Sequence, residues 1–233
     1  MNTDFIVLAA GKGQRMLGTR PKVLLPLAGK PMAQHLLDTI AGIKGSQHII
    51  VIGDQAEEVK KTLLAPRNTA WVRQRKQLGT GHAVKTAISS TRRGSMAVVL
   101  YGDVPLVQSK TLNTLTKIAT KGSLAVLAFK KDIPKGYGRI IRDSRNQVEA
   151  IIEEKDANHE QRKIEEVNSG ILAIKSNSLK KLLPELKNKN AAKEYYLTDI
   201  VGLAKDSGIK VKALLLENPD EVMGANTRLE LQE

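Results

Sequence analysis

Residues 8–16 read Leu-Ala-Ala-Gly-Lys-Gly-Gln-Arg-Met, an apolar run that feeds a glycine turn (Gly11, Gly13) carrying the cations Lys12 and Arg15. Glycines let backbone N–H groups surround an anion, and a guanidinium grips phosphate oxygens through two parallel hydrogen bonds. The order points to a phosphate loop; the alternative is a tight turn with solvated charges. Two familiar loops are excluded. The dinucleotide fingerprint needs a third Gly where Met16 stands, and the P-loop needs Gly-Lys-Ser/Thr, whereas Gly18 is followed by Thr19 and Arg20. Lys22 follows in a stretch stiffened by Pro21 and flanked by Val23, Leu24 and Leu25, so it is a candidate second phosphate cation rather than an ordinary surface lysine. Gln77-Leu78-Gly79-Thr80-Gly81-His82-Ala83 is a Gly-Thr-Gly turn opening a helix. Its free N–H groups and the Thr80 hydroxyl suit a base edge or a phosphate. Gln74, donor and acceptor at once, suits a nucleobase edge. His82 reads as a structural histidine at a helix start rather than an acid or base.

Tyr101-Gly102-Asp103-Val104-Pro105 puts one carboxylate at the end of an apolar run. Asp103 there is a natural Mg²⁺ ligand, since Mg²⁺ takes only one or two protein oxygens and completes its octahedron with water and phosphate; the alternative is an Asp capping a turn. Further on, Gly136-Tyr137-Gly138, Glu153-Glu154-Lys155-Asp156 and Asn168-Ser169-Gly170 combine close backbone approach with side chains that can bind several hydroxyls and an amide, as on an amino sugar. Turns use the same residue types, so each of these is weak alone.

The elements that must hold these residues alternate between two periods. Short apolar runs at 5–9, 48–52, 96–101 and 124–129 read as buried strands. Helical spacing follows them: 32–43, opened by Pro31 in its first turn; a helix capped by Asp54 with Ala56, Val59 and Leu63 inward; 80–88; and one marked by Leu112, Leu115 and Ile118. Residues 138–142 and 147–152 flank a polar turn and read as an antiparallel hairpin. A strand at 167–174, helices at 176–186 and 195–205, and a strand at 209–216 complete the pattern. The fold class is therefore α/β: a Rossmann-like, mostly parallel sheet flanked by helices, with an antiparallel insert. In such sheets ligands bind off the carboxyl ends of the strands, which are where Gly11, Thr80 and Asp103 fall.

Composition limits the classes that remain. A chain of 233 residues without cysteine has no disulfide framework, iron–sulfur cluster or thiol nucleophile, and fits a reducing compartment. Asp4 stands where a signal peptide would be basic, and no run approaches the roughly 20 apolar residues of a membrane helix, so the expectation is a cytoplasmic protein with no membrane partner. The net charge of +13 attracts anions without choosing among them. With one Trp, four Tyr and two Phe there is little to stack bases on, which argues against a nucleic-acid partner.

Taken together, LAAGKGQRM, PKVLLPLAGKPM, QLGTGHA, YGDVPL, GYGRI, EEKDA, NSGI, EYYLTDI and GANTR, spread from Phe5 to Arg228, closely resemble the N-terminal uridylyltransferase domain of the bacterial bifunctional GlmU family. The opening loop is shared by many sugar-phosphate and cytidylyl transferases; QLGTGHA with YGDVPL and GYGRI is more specific. The resemblance implies a nucleotide-diphospho-sugar transferase fold and a Mg²⁺-dependent transfer of UMP from UTP to N-acetylglucosamine-1-phosphate. On that resemblance Arg15 and Lys22 hold the triphosphate, and Leu8, Ala9, Ala10, Gly11 and Gly13 with Gln74, Gly79 and Thr80 bind UTP. Gly138, Glu153, Asn168 and Tyr196 hold the sugar with Tyr101 nearby, and Asp103 and Asn226 bind Mg²⁺. Preferring Glu153 to Glu154 rests on alignment with the preceding strand. Gln14 departs from the Thr or Ser common in this loop. The resemblance also divides the chain into a transferase domain over 1–226 and the start of a linker helix at 227–233. It finds no hexapeptide repeat of the left-handed β-helix that acetylates glucosamine-1-phosphate in the family. Acetylation would fall to a separate acetyltransferase protein, and the oligomeric state is left open. The rivals are a sister transferase using another sugar or nucleotide, a non-catalytic nucleic-acid binder, and a sensor that binds a UDP-sugar without making it.

Overall fold

A computed structural model describes residues 2–11 and 20–224. The apolar run at the start becomes strand β1 (Thr3–Ala9), buried on both faces, as a parallel strand with helices above and below must be. Its neighbours are β4 (Ser46–Ile52) and β6 (Met96–Tyr101), both parallel to it. Between β1 and β4 lie a two-residue hairpin, β2 (Pro26–Leu27) with β3 (Lys30–Pro31), and helix α1 (Met32–Ala41). Helix α2 (Ala56–Thr62) leads to the edge strand β5 (Thr69–Arg73), parallel to β4. The chain then returns through α3 (Thr80–Ala87) to place β6 on the other side of β1. The strand order thus reverses between β1 and β6, and the crevice this reversal opens at their carboxyl ends is where an open α/β sheet takes its ligand.

Helix α4 (Ser109–Thr120) precedes β7 (Leu124–Lys130), and the antiparallel hairpin β8 (Arg139–Arg142) and β9 (Val148–Ile152) follows. After the short α5 (His159–Arg162), β10 (Glu166–Lys175) inserts antiparallel between β6 and β7 and also pairs with β8. Helices α6 (Ser176–Leu182) and α7 (Ile200–Asp206) and strand β11 (Val211–Leu216), parallel to β7, complete the order β11-β7-β10-β6-β1-β4-β5. Alternate residues of β1 face opposite cores. Phe5 and Val7 pack with Leu36 of α1, Val59 of α2 and Leu112 of α4, whereas Ile6 packs with Val84 of α3, Leu179 of α6 and Ile200 of α7. Each such side chain contributes on the order of 1.5–3 kcal/mol on burial.

Three expectations shift, and one strand appears where none was expected. Pro31 is the N-cap of α1 rather than a helical residue, and the helix ends at Ala41. Gln55, not Asp54, occupies the N-cap of α2. Helicity expected over 195–205 begins only with a 3-10 turn at Leu197–Asp199, because Tyr195 is held extended by backbone bonds to Leu78 and Gly81. Strand β5 emerges from the basic stretch 67–76, whose charges mask the alternation around Trp71; charged flanks are what an edge strand uses to refuse further pairing.

Asp4 anchors the start of β1. Its carboxylate is fully buried and accepts from the Arg92 backbone N–H and, at 2.7 Å, from Arg92 Nε, while the same guanidinium donates to Thr3 and Gly45 carbonyls. Replacing Asp4 by Ala should cost about 2–3 kcal/mol of stability, with Arg92 partly solvated and so limiting the loss. Urea unfolding at neutral pH measures it.

Candidate active site

Two cavities open at the carboxyl ends of β1 and β6 and share Tyr101 and Asp103 as a common wall. The first, of about 240 Å³, runs from Ala10 and Gly11 past Lys22 to Gln74, Gly79 and Thr80. The second, of about 190 Å³, is bounded by Gly138, Glu153, Asn168 and Gly170 on the insert side.

Lys22 and Asp103 stand where the cavities meet, and they form an ion pair. Lys22 begins a 3-10 turn (Lys22–Leu24) whose Val23 and Leu24 are buried, so its stem is fixed from below. Asp103 is held at the end of β6, where the Gly102 N–H donates to the Leu8 carbonyl. Their side chains are 13% and 22% exposed, which leaves the pair largely desolvated and its attraction less screened than at a surface.

The loop after β5 is shaped by backbone conformation. Gly79 has φ +106, and a Cβ there would stand 2.6 Å from the Tyr195 carbonyl oxygen, so only glycine fits. Gln74 is buried; its Nε2 donates to the Gly79 carbonyl at 3.2 Å and to His82 Nδ1 at 2.9 Å. The Thr80 hydroxyl accepts from the Leu197 N–H. Gln77, quoted within its motif but given no role, lines the first cavity and donates to the Ala10 carbonyl, tying the loop to the end of β1. Glu194 lines the same cavity, and nothing local in the sequence distinguishes it from a surface glutamate.

On the insert side, β10 shifts register between Asn168 and Leu172. This irregularity turns the Asn-Ser-Gly segment toward the cavity, as bulges beside binding sites do. Asn168 Oδ1 accepts from the Gly170 N–H, and Gly170 (φ +86) leaves room for the Tyr101 ring, which a Cβ would approach to 2.5 Å. Glu153 accepts from the Thr198 hydroxyl at 2.9 Å, and burial raises its pKa above the usual carboxylate range, helped by Asp199, Asp156 and Glu194. Glu154 lies outside the cavity and pairs with the buried Arg139 at 2.7 Å. The Tyr101 phenol is pushed well above its ordinary range, by burial first and then by Glu153 and Asp103, while its hydrogen bond with Thr80 acts in the opposite sense.

The structure therefore brings Leu8, Ala10, Gly11, Lys22, Gln74, Gly79, Thr80, Tyr101 and Asp103 to one cavity, and Tyr101, Asp103, Gly138, Glu153 and Asn168 to the other. Ala9 lines a smaller recess beside the first cavity, with Gly53 and Gln77. Tyr196 lines neither cavity: it sits beside Asp156 and Glu153, and burial with these carboxylates pushes its hydroxyl up to about 12. Gly13, Arg15, Asn226 and the linker boundary at 226/227 lie outside the described residues.

A divalent ion fits this donor set. Among the described residues no group of three or more His, Asp or Glu gathers as a metal cage. Mg²⁺ needs none, because it binds through one or two protein oxygens and keeps water and phosphate for the rest. Asp103 supplies a carboxylate at the junction. Gly224 packs against Asp103, a Cβ there falling 3.3 Å from the Asp103 backbone carbonyl oxygen.

A mostly parallel α/β sheet with Gly11, a lysine and a carboxylate at its switch point has the arrangement by which such sheets hold phosphate-bearing ligands. Residues 5–190 match the family model of the MobA-like NTP transferase domain, and the chain belongs to that family. It is 46% identical over 98% of its length to the bifunctional protein GlmU of Marinobacter nauticus, covering 50% of that protein, and 46% identical over 99% of its length to that of Dechloromonas aromatica, again covering 50%. The chain thus spans about half the length of the curated relatives it matches. Among solved structures, a UDP-glucose pyrophosphorylase complexed with UDP-glucose superposes with a TM-score of 0.75 at 18% identity, over 92% of this chain and 90% of that one, a likeness of fold. Among the described residues no helix is long and apolar enough to cross a membrane.

Replacing Gly79 by Ala should cost about 1–3 kcal/mol, because an L residue is strained at that φ and the Tyr195 carbonyl blocks its Cβ. The thermal midpoint of the variant measures it.

Proposed function

We propose that the protein transfers UMP from UTP to N-acetylglucosamine-1-phosphate, giving UDP-N-acetylglucosamine and pyrophosphate, with Mg²⁺ as the metal. The observation that carries this reading is the pair of cavities meeting at Lys22 and Asp103: one lined by groups suited to a nucleotide, one lined by Glu153, Asn168 and Gly138, groups suited to a sugar bearing hydroxyls and an amide.

In this reading a phosphate oxygen of the sugar phosphate attacks the α-phosphorus of UTP, and the bond to the bridging oxygen of the β-phosphate breaks, releasing pyrophosphate. The nucleophile is already an anion near neutral pH, since a phosphate monoester loses its second proton near pH ~6. No general base is required. What must be overcome is repulsion between two anions and the charge gathering on the leaving group, so positioning and electrostatics supply the acceleration. Mg²⁺, held by Asp103 and Asn226, would neutralise charge on the phosphates. Lys22 exchanges its partner, moving from the Asp103 carboxylate to the phosphates, with Arg15 beside it. Gln74 and the Gly79–Thr80 turn hold the base, and Glu153 accepts from sugar hydroxyls.

Pyrophosphate release, measured with a panel of nucleotides and sugar phosphates with and without Mg²⁺, tests the reading. UTP with N-acetylglucosamine-1-phosphate should be the preferred pair, and activity should require the metal. A clear preference for another pair assigns a sister activity. Steeply salt-dependent binding to nucleic acid without turnover would contradict the proposal. In the same assay Asp103→Ala should lose roughly 10²–10³ in kcat, the scale of a lost transition-state contact. KM for the sugar phosphate should rise as pH falls through the raised pKa of Glu153, because protonation removes its negative charge and turns one acceptor oxygen into a donor. In Glu153→Gln only the rise that follows the substrate phosphate's own ionisation should remain.

A further inference from the structure

His82 lines no part of the nucleotide cavity; it lines the cavity of about 310 Å³ on the other side of the Gly79–Gly81 turn. Yet it contacts Gln74, a buried amide of the nucleotide cavity suited to reading a base edge. Gln74 spans the two: its Nε2 is directed to the Gly79 carbonyl and to His82 Nδ1, and its Oε1 accepts no bond among the described residues. A carbonyl oxygen can only accept, so Gly79 requires the amide nitrogen on that side. The same arrangement requires His82 Nδ1 to be an acceptor, with the ring proton on Nε2 and the imidazole neutral.

We propose that His82 is a specificity-determining positioning residue, whose unprotonated Nδ1 locks the Gln74 amide with its nitrogen inward and its oxygen left for the base. An acceptor there suits a pyrimidine whose ring nitrogen carries a hydrogen, as in uracil, and opposes cytosine, whose corresponding nitrogen is itself an acceptor. An imidazolium would present a donor at Nδ1 against the amide NH₂ that Gly79 holds there, and so would displace Gln74 from the pose that offers its oxygen to the base. This inference rests on the nucleotide assignment of the cavity and adds how the base is chosen. The groups facing His82 are few. Lys85 lies one turn further along α3 and the Tyr195 ring packs at 6.5 Å between centroids. Burial, then the Lys85 charge, hold the histidine below its usual value of 6.5, which keeps the acceptor form dominant at neutral pH.

The test compares UTP with CTP in the full chain, by calorimetric binding and by pyrophosphate release, from about pH 5.5 to 8. Changes in phosphate ionisation affect both nucleotides alike, so the UTP:CTP ratio isolates the base. In wild type the ratio should hold through neutral pH and narrow on the acid side of 6.5 as the imidazole protonates. His82→Phe keeps the ring but lacks the acceptor, and should narrow the ratio about tenfold at every pH, chiefly through KM for UTP. His82→Asn offers a carbonyl to the same amide, and should restore the ratio and make it independent of pH. A folded Phe variant with the wild-type ratio would overturn the assignment, as would a wild-type ratio that stays constant while the NMR shifts of the His82 ring show it protonating; the second result stands even where the Phe variant does not fold. Selective UTP binding without turnover would remove the transfer reading and leave the His82 assignment standing. Normal turnover with an unchanged ratio in the Phe variant would do the reverse.

Discussion

Lys22 and Asp103 neutralise one another at the point where the nucleotide-side and sugar-side cavities adjoin. Any chemistry that joins two phosphates must bring together groups that repel, and positive charge has to be waiting between them in a place partly shielded from water. The fold supplies that place by reversing its strand order between β1 and β6. Pro21 and the buried Val23 and Leu24 fix the lysine from one side, and the end of β6 fixes the carboxylate from the other. The pair keeps two charges organised that would otherwise be costly to hold in a half-buried crevice without ligand.

A second constraint links the two cavities. The segment from Glu194 to Thr198 crosses between them and bonds to both. Tyr195 exchanges backbone bonds with Leu78 and Gly81, the Leu197 N–H reaches the Thr80 hydroxyl, and the Thr198 hydroxyl reaches Glu153. The loop that would grip the base and the carboxylate that would grip the sugar therefore share one short strap. The glycines at 79 and 81 leave room for that strap to lie directly on the loop.

Much of this was legible in the residues because local and global signals agree where strands end in glycine turns. Strand β6 ends at Tyr101, as its apolar run does, and α3 opens at Thr80, as the Gly-Thr-Gly turn requires. The α/β sheet and its antiparallel insert follow the alternation of periods. What was hidden is what depends on distant partners. Strand β5 is half-buried and flanked by charge, so its pattern is weak. Gln77 and Glu194 acquire a place only because their loops fold across β1 and α3. Tyr196 belongs to the strap but lines neither cavity, because Tyr195 is pinned to Gly81 and fixes the direction of the chain beyond it. The separation of Glu153 from Glu154 needs the buried Arg139, whose pairing with Glu154 no spacing rule reveals.

A crystal structure with UTP and Mg²⁺ bound tests the central claim most directly. The account predicts the triphosphate along the glycine turn after β1, a metal ion on the Asp103 carboxylate, and Lys22 parted from Asp103 and turned to the phosphates. Nucleotide bound elsewhere, for example in the cavity behind α3, with the Lys22–Asp103 pair intact, would contradict it.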